Sequence, residues 1–147
     1  MANDMYKKLK EDHQVQRRLM EILEKTHGDS DGRRELFDRF CDAVEAHAAA
    51  EERVLYAELL QKPRGRDHAA HSVKEHEEMR EMLEQLRETD MSSSGWLATA
   101  RKLFEMNRHH MDEEEQKVFS VAGQIFESAD ESRMQKAYTS IEGELRG

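Results

Sequence analysis

The sequence predicts an all-α protein: an antiparallel up-down-up-down four-helix bundle followed by a short extra helix at the C-terminus. Three observations predict it. Four long segments carry apolar residues at spacings of three and four, the repeat of a helix with one buried face. The breaks between them are short, and short connections favour antiparallel neighbours. One proline and seven glycines in 147 residues are too few for the frequent turns of an all-β chain.

The first helix runs from about Asn3 to His27, with Leu9, His13, Gln16, Met20 and Leu23 on one face. His27-Gly28-Asp29-Ser30-Asp31-Gly32 breaks it, and Asp29 to Asp31 offer N-caps for the next. The second helix reaches about Gln61, with Leu36, Phe37, Phe40, Val44, His47, Glu51, Val54, Leu55 and Leu59 in its stripe. Pro63 and Gly65 stop it. The third, about Asp67 to Glu88, carries Val73, His76, Met79, Leu83 and Leu86. After the loop from Asp90 to Gly95, the fourth runs from about Trp96 to Phe126 through Leu103, Asn107, His110, Glu114, Val118, Val121 and Ile125. A tail at about 129–146, with Met134, Tyr138, Ile141 and Leu145, is expected as a short helix packed on the outside. A single domain is expected over residues 1–147, its core at about 3–126.

Composition narrows the function. Hydrophobic and charged residues each make up 37%, as suits helices with one apolar stripe and a charged outer face. A net charge of −9 argues against nucleic acid or an anionic membrane as the main partner. The single cysteine, Cys41, excludes an internal disulfide and a cysteine-based zinc site, and is expected as a small buried hydrophobe. The start lacks the apolar run of a signal peptide and no stretch of about 18 apolar residues occurs, so a cytoplasmic protein is expected.

The informative feature is a repeat. His47-Ala48-Ala49-Ala50-Glu51-Glu52-Arg53-Val54-Leu55-Tyr56 aligns without a gap on His110-Met111-Asp112-Glu113-Glu114-Glu115-Gln116-Lys117-Val118-Phe119. Both read His-x-x-x-Glu-Glu-x-x-apolar-aromatic. Residues four apart on a helix share a face, so each copy presents an imidazole and a carboxylate together. Both pairs fall in apolar stripes, where a carboxylate is costly unless paired or bound to metal. His13 and His76 occupy the same kind of inward position on the first and third helices. Six nitrogen and oxygen ligands converging in a bundle core suit two first-row metal ions.

Other polar residues read as bland. His27 lies at a helix end, His68 and His71 near the start of the third helix. His71 is the rival of His76, and His109 of His110; the repeat favours His110 because only that register aligns both glutamates and the aromatic. The charge run Asp112 to Glu115 reads as solvated face with only Glu114 inward. Glu52 and Glu115, one step of about 100° from Glu51 and Glu114, are expected to tolerate alanine. Asn107 and Gln16 could orient His110 and His13, while Tyr6 and Tyr56 are expected to be ordinary core. The Glu-x-x-His of ferritin-type bundles occurs only as Glu24-Lys25-Thr26-His27, at a helix end.

This pattern of His, His-x-x-x-Glu, His, His-x-x-x-Glu over four helices resembles the hemerythrin-like (HHE cation-binding) family, from about Met5 to Phe126. The resemblance implies a non-haem di-iron centre, two iron ions joined by an oxo or hydroxo bridge. Their ligands would be His13, His47, Glu51, His76, His110 and Glu114, with Glu51 and Glu114 bridging. The chain departs from the oxygen-carrying hemerythrins of invertebrates: Ser72 stands where their third helix has a second histidine, and the fourth-helix motif ends in Glu rather than Asp. The bacterial relatives of this second pattern imply binding of oxygen or a related small ligand. The alternative they imply is an enzyme that breaks down hydrogen peroxide or processes nitric oxide, or iron-centre repair. A sensor of this size would need a separate protein partner.

Overall fold

The computed structural model describes residues 4–146, and they form five helices; Asn3, where the first helix was expected to start, lies outside them. Helix α1 is Asp4–Leu23. Helix α2 covers 31–59: it is α-helical over Asp31–Glu51, π-helical over Glu52–Tyr56 and α-helical again over Ala57–Leu59. Helix α3 is Arg66–Glu88. Helix α4 covers 94–125 in the same three-part form, with Ser94–Glu113, a π segment Glu114–Val118, and Phe119–Ile125. Helix α5 is Ser128–Arg146. The first four pack as a ring in which each touches the next and α4 returns to α1, while α5 lies across α1 and α2.

The helix ends follow local chemistry. Ser30 caps α2 by accepting from the Arg33 amide at 3.1 Å, and Ser93 caps α4 by accepting from Trp96 at 3.2 Å. Helix α1 ends at Leu23 rather than near His27. Its last turn tightens, with Lys25 N–H on the Ile22 carbonyl at 3.0 Å and Thr26 N–H on that of Leu23 at 3.1 Å. The Arg33 guanidinium, buried 4.7 Å over the Trp96 ring, then takes the Thr26 carbonyl at 2.6 Å and that of Met91 at 2.7 Å, pinning both loops at this end. Gly65 precedes α3 where a Cβ would come within 2.6 Å of the end of the Leu59 side chain, so any larger residue would have to push that methyl group aside.

Two apolar clusters fill the bundle. One gathers Met5, Leu9, Val54, Leu55, Tyr56, Leu59, Val118, Phe119 and Phe126, joined by Met134 and Tyr138 of α5. The other gathers Met20, Leu23, Phe37, Phe40, Cys41, Met79, Leu83, Leu86, Trp96 and Phe104. Each large side chain removed from water stabilises by about 1.5–3 kcal/mol, and this core holds the layer between the clusters in place. That layer is polar. Cys41 is buried in the second cluster, as expected, and burial pushes its thiol up to about 12. The tail helix starts within a residue of where it was expected, packs outside the ring against α1 and α2, and buries Met134 and Tyr138 completely.

Candidate metal centre

Six polar side chains meet in the layer between the apolar clusters, and none is more than 4% exposed. His13, His47, Glu51 and Glu114 each bring one ligand atom to within 4.8 Å of the others, and so do Glu51, His76, His110 and Glu114. The two groups share both carboxylates. These are the six residues that the repeat and its two companion histidines single out in the sequence. His71 and His109 stay outside, 53% and 72% exposed at the side chain, and His27 is exposed. His68 is half-buried, away from the six.

The four imidazoles point Nε2 inward. His76 Nε2 and His110 Nε2 stand 3.0 Å apart, and His13 Nε2 is 2.9 Å from Glu114 Oε1. His76 Nε2 lies 3.4 Å and His47 Nε2 3.5 Å from the oxygens of Glu51, and His110 Nε2 lies 3.8 Å from Glu114. Each outward Nδ1 meets a carboxylate: His13 meets Glu115 at 2.6 Å, His47 meets Asp12 at 3.3 Å, His76 meets Glu52 at 3.0 Å and His110 meets Glu75 at 2.8 Å. An ionised carboxylate only accepts, so Nδ1 carries a hydrogen and Nε2 is the nitrogen left to bind a cation at the centre.

These outer partners form a ring. Each of the four acids is the chain neighbour of an inward ligand, yet backs the histidine of the next helix: Asp12 of α1 serves α2, Glu52 of α2 serves α3, Glu75 of α3 serves α4, and Glu115 of α4 returns to α1. This corrects two expectations. Glu52 and Glu115 are not free solvated groups, and Glu115 also accepts from Arg17 at 2.9 Å. Burial opposes charge on Glu115, but the His13 and Arg17 bonds outweigh it and hold its carboxyl down at about 2. Gln16 and Asn107, in turn, orient no imidazole: Asn107 donates to Gln16 at 3.0 Å. We expect Glu115→Ala to weaken metal binding by about 10–100-fold, the usual cost of losing such a partner. A metal titration giving wild-type affinity would show that this bond orients nothing.

The π segments explain a second correction. In an α-helix a residue five positions on lies about 140° off-face. Here Ala57 N–H reaches back to the Glu52 carbonyl and Phe119 N–H to that of Glu114, closing five-residue turns. The extra residue swings Tyr56 back over Glu51, to which its hydroxyl donates at 3.0 Å. Tyr56 is therefore part of the site, whereas Tyr6 is buried core, its ring 5.5 Å from that of Phe119. In the second copy of the repeat Phe119 takes the equivalent place and stacks on His13 at 5.9 Å. Glu51 receives a phenol hydrogen that Glu114 does not.

The two carboxylates also differ in acidity. Burial works against ionising Glu51, but His47 and His76 outweigh it and bring its carboxyl well below the usual range. Burial and the charge of Glu51 push Glu114 well above it. Burial disfavours charge on His47 too, yet Glu51 and Asp12 lift it to about 10, while burial holds His13 at about 4 against the pull of Glu115. Even so, His13 Nε2, His47 Nε2, Glu51 Oε2 and both oxygens of Glu114 are buried with no hydrogen-bond partner. Such orphaned atoms cost about 1–3 kcal/mol each. Lone pairs converging from four imidazoles and two carboxylates fit cations, and the donor set suits first-row metals.

The family model of the hemerythrin HHE cation binding domain matches residues 4–122. The chain belongs to that family. No curated protein and no solved structure matches it. The hemerythrin match ends before α5, yet α5 supplies a partner to the site. The Tyr138 hydroxyl accepts from His47 Nδ1 and donates to Asp12, with Glu142 3.0 Å away and Lys8 closing the cluster at 3.2 Å from Asp12. Sequence reasoning missed Tyr138 and the four outer acids; the acids did carry a signal, one beside each inward ligand. Tyr138→Phe is expected to weaken metal binding at the His13–His47 side by about 10-fold and leave the His76–His110 side unchanged. Stepwise binding isotherms measure this, and an equal loss in both steps would count against it.

Proposed function

We propose that this hemerythrin-family protein is a non-haem di-iron protein that takes a small oxidant ligand, oxygen or a relative of it. His13, His47, Glu51 and Glu114 would hold one ion and Glu51, His76, His110 and Glu114 the other, both carboxylates bridging. The observation that carries the reading is the pair of buried four-residue groups sharing Glu51 and Glu114. The reading includes an antiparallel up-down-up-down order for α1 to α4, a single domain over residues 1–147 and a place in the cytoplasm. Among the described residues no helix is long and apolar enough to cross a membrane.

The ions would supply the Lewis acidity and electrons for the ligand. The chain's own residues hold the ions, fix the imidazoles through the ring of outer acids, and limit what enters. A cavity of about 10 Å³ lies against the four histidines, closed by Val44, Ala48, Met79 and Met111 and by the Gln16–Asn107 pair. Its size admits about one water, which favours a diatomic or similarly small ligand over an organic substrate. Breakdown of peroxide is the second reading. Four histidine bonds and two bridging glutamates give each ion about four protein ligands where about six are usual, leaving both open to the oxidant.

Protein produced with iron is expected to carry about two ions per chain, and the oxidised form to change its absorption spectrum when azide is added. One ion or fewer in a well-folded chain would end the two-iron reading. Adding hydrogen peroxide then separates the two functions: a stable spectral change supports ligand binding, and steady peroxide loss supports turnover.

A further inference from the structure

The spare histidines come together elsewhere. His71 and Glu75 on α3, and His109 and Glu113 on α4, are two more pairs at four-residue spacing, facing each other on the outside of the bundle. His71 Nε2 lies 3.4 Å from Glu75 Oε2 and 3.6 Å from Glu113 Oε1, and His109 Nε2 lies 3.2 Å from Glu113 Oε2. Ligand atoms of His71, Glu75 and Glu113 all fall within 4.8 Å of one another, from two different helices. Glu75 and Glu113 are only 13% and 23% exposed at the side chain, so packing holds both carboxylates in position, while the imidazoles remain open to solvent. We propose that His71, Glu75 and Glu113 form an outer site for a first-row divalent cation.

The chemistry supports a cation there. Two carboxylates and one imidazole make an N/O donor set that zinc and its neighbours take in open, partly hydrated sites. Helical spacing of four aligns each imidazole with its carboxylate. The outer site also touches the inner one through a single residue. Glu75 turns Oε2 to His71 and Oε1 to His110 Nδ1, 2.8 Å away. A cation on the surface would therefore draw on the same carboxylate that orients an inner histidine. The proposal does not rest on the di-iron reading, because His71, Glu75 and Glu113 converge whether or not the inner site holds iron.

Equilibrium dialysis of the full chain against Zn²⁺ near pH 7.5 tests it, with zinc and iron counted per chain. The intact protein should hold one zinc more than His71→Ala and one more than Glu113→Gln, with the far-ultraviolet circular dichroism of all three alike. Glu114→Ala should keep that extra zinc while losing inner metal, so the two sites are read by different variants. Equal zinc in the intact chain and in both outer variants would overturn the proposal. So would loss of the extra ion from Glu114→Ala alone.

Discussion

Replacing Glu51 or Glu114 by alanine is expected to strip metal from both positions, a larger loss than any single histidine replacement causes. Both carboxylates belong to both four-residue groups, so with two ions bound each removal would take a bond from both, whereas each histidine would serve one. The affinity loss should exceed the roughly 10–100-fold expected of an outer partner such as Glu115. Glutamine at either position keeps the shape but not the charge, and should fail similarly if the carboxylate is the ligand. Metal content after dialysis measures the effect. An order in which Glu115→Ala loses metal and Glu114→Ala retains it would mean that the fourth helix presents the wrong face.

Removing the metal is expected to destabilise the fold by about 3–5 kcal/mol at neutral pH, as when one partner of a buried charge pair is lost. Protons must then stand in for the ions. Burial and the charge of Glu51 raise the Glu114 carboxyl and so favour its protonated form, and His47, lifted to about 10 against burial by Glu51 and Asp12, is an imidazolium. Loading therefore displaces at least the His47 proton, and an unbuffered solution should acidify on metal addition. Each displaced proton makes binding about 1.4 kcal/mol weaker for each pH unit lowered. The melting temperatures of loaded and emptied protein should accordingly converge as pH falls.

The emptied protein has its own pH dependence. Because the Glu114 pKa lies above its unfolded value, ionising it weakens the fold as pH climbs beyond the carboxylate range. His13 acts in the acid direction: with its pKa held at about 4, its contribution is complete above 6.5 and lost as pH falls from 6.5 towards 4. His47 contributes fully below 6.5 and loses that contribution as pH rises through about 10. Calorimetry of the emptied protein should therefore find a stability maximum in the weakly acidic range. A maximum in strong alkali would mean that Glu114 is not the buried acid.

Much of the inner site was legible because its signal is local. A carboxylate at Glu51 or Glu114 inside an apolar stripe contradicts the helix around it, and the contradiction occurs twice with the same spacing. His13 and His76 fall on their stripes by the same periodicity. The outer acids were harder. Asp12, Glu52, Glu75 and Glu115 look like the solvent-facing neighbours of the inward ligands, and nothing along one helix says which side chain of the next helix they meet. The π turns were invisible for a related reason: a uniform helical period places Tyr56 away from Glu51, and only the backbone's extra residue restores it.

The sequence by itself determined the helices, their apolar faces, the family and the six inward residues, because each depends on spacing within one helix or on a motif repeated between two. Tertiary structure decided how those residues are used. Packing the helices in a ring turned four neighbouring acids into partners for the next helix's histidines, since a step of about 100° along one helix points a side chain at an adjacent one. It set the two carboxylates apart: His47 and His76 draw Glu51 well below the usual carboxylate range against burial, while burial and Glu51 push Glu114 well above it. It also brought Tyr138, 91 residues further along the chain, against His47. Contacts between segments so far apart depend on how the elements dock, and helical periodicity carries no information about docking.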